Sequence, residues 1–161
     1  MSPDRAFLMR HPAHLVALGF GAGLMPRAPG TWGTLVAFPI FAAVQGGGIG
    51  VTLSVAMMTF LIGVWAAGRC GSALGVADHG GIVIDEIAAF LFVLAFCPRG
   101  WLWWLTAFVL FRLFDIVKPW PIRQADRHIK GGFGVMFDDL LAAGYAVAVL
   151  LVLRSISPSF H

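Results

Sequence analysis

The apolar positions of this chain gather into five blocks, with most charged residues confined to the stretches between them or to their ends. The first block runs from about Thr31 to Gln45 (TWGTLVAFPIFAAVQ), where Pro39 is expected to kink a helix. The second, about Ile49 to Cys70, carries no charge before Arg69. The third, about Ile82 to Cys97, holds Asp85 and Glu86 in its opening turns, and a short break, CPRGW, leads to the fourth at about Trp101 to Val117. The fifth extends from about Asp138 to Ile156, again with carboxylates at its start. Such lengths suit helices crossing a hydrocarbon layer of about 30 Å, the shorter ones needing bilayer thinning or partial insertion. Ahead of them HLVALGFGAGLM is apolar but glycine-rich and too short to span, and it reads as an interfacial or re-entrant piece of an N-terminal segment, 1–30. The pattern predicts an all-α, polytopic helical membrane protein: one domain over 1–161 with about four to five membrane-embedded helices.

Composition agrees. Of 161 residues 59% are hydrophobic and 12% charged, and the mean hydropathy of +0.86 lies well outside soluble norms. The opening MSPDRAFLMRHPAH lacks a signal peptide's apolar core and cleavage site, so no processing is expected. A net charge of +3 does not point to nucleic acid. Cys70 and Cys97 match no metal spacing and imply no disulfide. Arg5, Arg10 and Arg27 precede the first block, while Arg112, Lys118, Arg123, Arg127 and Lys130 cluster between the fourth and fifth. The positive-inside bias therefore puts the N-terminus and regions 69–86 and 112–139 in the cytoplasm, and five crossings would leave the C-terminus outside.

Seven of the eight acidic residues fall in three short stretches on that same predicted face: Asp78, Asp85 and Glu86; Asp115 and Asp126; Asp138 and Asp139. Ionised groups beside hydrocarbon are costly, roughly 2.5–3.5 kcal/mol each on insertion scales, and mark function by default. Ala89 follows the Asp85–Glu86 pair by one turn, and Ala142 and Ala143 follow Asp138–Asp139 likewise. Small residues at that spacing let helices approach closely, which would bring the two pairs together. Crowded carboxylates stay ionised only beside a cation, and an all-oxygen donor set without Cys or His favours Mg²⁺. Helix capping explains one such acid, Asp138 for example, as well as function does, but not five carboxylates at three helix ends on one face.

Arg112, Lys118 and Arg123 are candidates for holding phosphate. Lys130 and Arg127 read as topology determinants, and Lys118-Pro119-Trp120-Pro121 as a rigid interfacial break. His79, in a turn, is a candidate general acid, although a lone loop histidine is more often a hydrogen-bonding surface residue. In PGTWGT, Thr31 reads as the N-cap of the first span, and the hydroxyls of Thr31 and Thr34 are candidates for headgroup contact. No cysteine phosphate loop, aspartyl-nucleophile run, G-x-S-x-G or H-E-x-x-H occurs, so metal-assisted hydrolysis fits better than covalent catalysis. A small transporter and a non-enzymatic lipid-binding scaffold are the rival classes. A phosphotransferase joining lipid precursors lacks its D-G-x-x-A-R…D-x-x-x-D spacing here.

PGTWGTL, DHGGIVIDE, FRLFDIVKPWPIRQAD and GGFGVMFDDLLAAG, in this order, closely resemble the motifs of the bacterial phosphatidylglycerophosphatase A family, from about His14 to Ala148. The resemblance implies a Mg²⁺-dependent inner-membrane lipid phosphatase, active at the cytoplasmic face, that converts phosphatidylglycerophosphate to phosphatidylglycerol. It carries the family's acidic positions onto Asp78, Asp85, Glu86, Asp115, Asp138 and Asp139, and its basic ones onto Arg112, Lys118 and Arg123. Read together with the residues, it makes Asp85, Glu86, Asp138 and Asp139 the expected Mg²⁺ ligands and Asp115 a ligand or base.

Overall fold

A computed structural model describes residues 3–156, and all regular structure among them is helical. The helices are α1 (Arg5–Met9), α2 (Pro12–Ala17), α3 (Pro29–Val44), α4 (Gly48–Leu74), α5 (Ile84–Phe96), α6 (Trp101–Val117), α7 (Ile122–His128) and α8 (Gly131–Ile156). Short 3₁₀ turns at Gly19–Leu24 and Gln45–Gly47 join α2 to α3 and α3 to α4.

The architecture is built around α5. Nine of its 13 residues are buried, on every side of the helix, and it packs against α3, α4, α6 and α8. At 1.5 Å per residue it is about 20 Å long, short of a hydrocarbon core. The third apolar block is thus wrapped in protein, which is why it is apolar all round. Two continuous runs, Pro29–Leu74 and Gly131–Ile156, are long and apolar enough to cross a membrane. The first is two helices, since the 3₁₀ turn and Gly48 at φ 78° interrupt it.

Around α5 the core is bulky, with Ile87, Phe90, Leu91 and Phe111 fully buried, but on α4 side-chain size is arranged the other way. On α4 the inward positions are small (Ala56, Gly63, Ala66, Ala67, Cys70), and the outward ones are large (Met57, Met58, Leu61, Ile62, Trp65). Outward-facing Leu102, Leu105, Val109, Leu113 and Ile116 form a stripe along α6. Small residues at helix contacts and bulky apolar ones outside are the pattern of helices packed in lipid.

Two helix starts differ from expectation. α8 begins at Gly131, not Asp138, so the glycine-rich GGFG is its first turn rather than loop. Gly132 is needed for proximity: a Cβ there would lie 2.0 Å from the Val64 carbonyl oxygen of α4. α3 begins at Pro29 behind Ala28, a left-handed N-cap, which leaves Thr31 in the first turn and not at the cap. Pro29, with φ already near the helical value and no N–H to leave unpaired, sets that start. α3 continues through Pro39.

Gly132→Val forces α8 away from α4 and is expected to lower stability by about 1–3 kcal/mol. Gly50→Ala, where an added Cβ meets nothing within 4 Å, should leave it unchanged or slightly raised. Thermal unfolding of both variants in detergent checks the pair.

Candidate active site

One end of the bundle collects the start of α3, the start of α5, the end of α6 and the second turn of α8. Asp85 and Glu86 occupy the first turn of α5, where the helix dipole favours negative charge. The preceding loop is pinned by the Val83 amide, which donates to the Ala17 carbonyl (2.9 Å). α8 supplies Asp139. Asp85, Glu86 and Asp139 each offer an oxygen, and these oxygens all lie within 4.8 Å of one another. Asp85 and Asp139 are buried and Glu86 nearly so. The buried atoms Asp85 Oδ1, Glu86 Oε2 and Asp139 Oδ2 have no hydrogen-bond partner.

Arg112 organises the next layer. Its Nη1 lies 2.6 Å from Asp115 Oδ2, one turn along α6, and 3.4 Å from Glu86 Oε1. Its Nε, also buried, has no partner. Asp115 in turn lies close enough to Asp139 for the two carboxylates to interact electrostatically. A Cβ on Gly30 would fall 2.0 Å from Glu86 Oε1 and 3.1 Å from Arg112 Nη1, so the PGT turn abuts this layer through a bare backbone.

Asp138, expected beside Asp139 as a ligand, points elsewhere, because consecutive helical side chains diverge by about 100°. It is paired with Lys118, whose ammonium also reaches Asp126 Oδ1 (3.3 Å). Burial alone would lower the Lys118 pKa, but the hydrogen bond and charge of Asp138, with Asp126 and Asp139 behind it, hold it above the ordinary lysine value. Lys118 is the left-handed residue (φ 45°) that ends α6 before Pro119. Both Asp138 and Asp139 lie beyond the first turn of α8, which removes capping as their reason for being there.

The remaining candidates are more distant in chemistry. Thr34 is fully buried and donates to the Gly30 carbonyl (2.9 Å), so its hydroxyl is spent on its own helix. Thr31 is half-buried one turn earlier. His79 is half-buried, and its Nδ1 accepts from the Gly81 amide (3.0 Å). Asp78 is exposed and borders a small cleft of about 30 Å³ with Asp126, Lys130 and Gly131. Arg123 is exposed, with Nη2 3.4 Å from the Val117 carbonyl. Gly30 is not among the expected site residues, its signal being a helix-disfavoured glycine just after a helix-starting proline; Asp126, one of the clustered acids, proves to be the second partner of Lys118.

The fold and the cluster define an all-helical protein of membrane type with a polyacidic, arginine-braced site at one end. A family model described as phosphatidylglycerophosphatase A matches residues 15–154. The chain is 42% identical over 155 residues to phosphatidylglycerophosphatase A of Haemophilus influenzae, covering 95% of each chain. It is 40% identical over 143 residues to the Escherichia coli protein of the same name, covering 88% of this chain and 83% of that one. No solved structure matches it significantly. The chain belongs to the phosphatidylglycerophosphatase A family.

Lys118→Met leaves Asp138 buried without its counter-ion and should destabilise the fold by about 1–3 kcal/mol, less than a fully buried pair because Lys118 is partly exposed. Adding Asp138→Asn should recover most of that loss. Melting curves of the single and double variants read the coupling.

Proposed function

We propose that this protein hydrolyses the terminal phosphate monoester of phosphatidylglycerophosphate, releasing phosphatidylglycerol and phosphate, in phospholipid biosynthesis. The family membership and the names of its relatives support the reaction. The observation that carries the site assignment is the set of unpartnered buried oxygens on Asp85, Glu86 and Asp139. The donor set fits Mg²⁺, being all oxygen and all carboxylate, with three buried oxygens left without a partner. In this reading those three residues hold the ion. A bound Mg²⁺ would draw charge from the phosphoryl oxygens and favour attack by water.

The chain's own residues do the rest. Arg112, braced by Glu86 and Asp115, aims its unpaired Nε at a phosphate oxygen. Asp115, fixed by that guanidinium beside Asp139, orients the attacking water and accepts its proton. Lys118 holds Asp138 and the end of α6 in place and adds positive charge near the headgroup. Gly30 lets the start of α3 pack directly against Glu86 and Arg112 and so helps hold both side chains in place. The protein sits in the bacterial inner membrane with four to five helices embedded and this end facing the cytoplasm, the side the basic residues select.

Phosphate release from phosphatidylglycerophosphate by purified protein should require Mg²⁺, stop with EDTA, and fall roughly 100-fold or more in Asp139→Asn. Mg²⁺-independent release, or full activity of the variant, counts against the assignment. Stability gives a second readout. Mg²⁺ should raise the melting temperature of the wild type and barely move that of Asp139→Asn. In EDTA the order should invert, the variant melting higher because one of three crowded charges is gone.

A further inference from the structure

Between α4, α5 and α8 lies a crevice of about 400 Å³, lined among others by Ala56, Met57 and Phe60 of α4, Ala88 and Phe92 of α5, and Gly144 of α8. No charged side chain lines it, and its volume is in the range of ligand pockets. Its position follows the chain away from the carboxylates. Ala88 lies one turn beyond Asp85, and Leu140, also in the lining, follows Asp139 directly. On α4, Gly63 is level with the cluster, since a Cβ there would touch Met136 and Ile84. Phe60, then Ala56 and Met57, are the next turns along α4 in the same direction as Phe92 and Gly144 on the other two helices. The crevice therefore starts about one turn from the polar site and extends away from it along the helix axes for about 10 Å.

Its emptiness is unusual in its details. Gly132, Gly63 and Gly30 each serve a close approach, with a Cβ blocked by a neighbour. Gly144 does not: a Cβ there meets nothing within 4 Å. In a helix interior, where glycine is disfavoured, it brings no packing in return. Gly144 and Met57 are also exposed, so the crevice opens on the outer apolar surface.

We propose that this crevice holds one acyl chain of the phospholipid substrate while its phosphate lies at the Asp85–Glu86–Asp139 cluster. The proposal rests on the lipid phosphatase reading above. A molecule with an anionic head and an apolar tail matches a polar cluster with an apolar crevice one turn away that opens on the outer apolar surface, and entry is sideways from the bilayer. A larger groove of about 850 Å³ near Leu8, Phe20 and Met25 is a poorer fit, because Asp4 and Arg5 line it.

Gly144→Leu adds an apolar side chain to the crevice lining at a position where the Cβ meets nothing within 4 Å and improves helix propensity, so the variant should fold. Its kcat/KM on long-chain phosphatidylglycerophosphate should drop about tenfold, with the rate on a short-chain, water-soluble analogue of the same headgroup unchanged. Unchanged rates on both substrates, or equal losses on both, overturn the proposal. In wild-type protein, a substrate with a photoreactive group in its tail should label segments 53–60, 88–92 and 140–144. Labelling confined to the groove around Leu8 and Phe20, or equal labelling by a neutral diacyl lipid bearing the same tail, overturns it as well. Wild-type protein that hydrolyses neither substrate would count against the phosphatase reading instead, and the labelling experiment reads the crevice independently of turnover.

Discussion

Mutual repulsion among Asp85, Glu86 and Asp139 is the constraint around which the rest of the structure is arranged. Three carboxylates within 4.8 Å of one another, in an apolar bundle, are unfavourable twice over: each loses water and each meets like charge. Arg112 offsets part of this, but it is already shared between Glu86 and Asp115. The remaining oxygens point at one another with no donor supplied by the chain. Apolar packing around α5 is what holds them there against that repulsion.

The packing is of a kind suited to the task. Glycine and alanine at the contacts of α4 and α8 bring backbones together, while on the other side of α5 Phe90 interlocks with Phe38, Phe108 and Phe111. A second ionic knot, Lys118 with Asp138 and Asp126, ties the end of α6 to α7 and α8 beside the cluster. The two knots divide adjacent residues of α8 between them. Asp138 serves position and Asp139 serves the cluster, a division that the helical turn of about 100° per residue makes possible.

How far the sequence discloses this depends on the scale. Hydropathy locates the five long helices, and α6 coincides with its expected range, Trp101–Val117. The gathering of Asp85, Glu86, Asp115 and Asp139 at one end also follows from charge placement and small-residue spacing. Three things do not follow. Gly132 in GGFG looks like loop until its neighbour, the Val64 carbonyl, is known. Asp138 and Asp139 are indistinguishable in sequence, since only the helix phase relative to α5 and Lys118 separates them. The third block reads as a span by composition, because a helix enclosed by protein and a helix enclosed by lipid are equally apolar; length alone, 13 residues, tells them apart.

The central position of α5 also orders events in time. A 13-residue helix bearing two acids in its first turn is a poor candidate for stable residence in lipid by itself. The helix that covers it and carries Asp139 is the last of the described chain to emerge from the ribosome. The cluster cannot exist before α8 is made. It forms only when α8 docks on α5, so until then Asp85 and Glu86 lack both their third carboxylate and the helix that covers them.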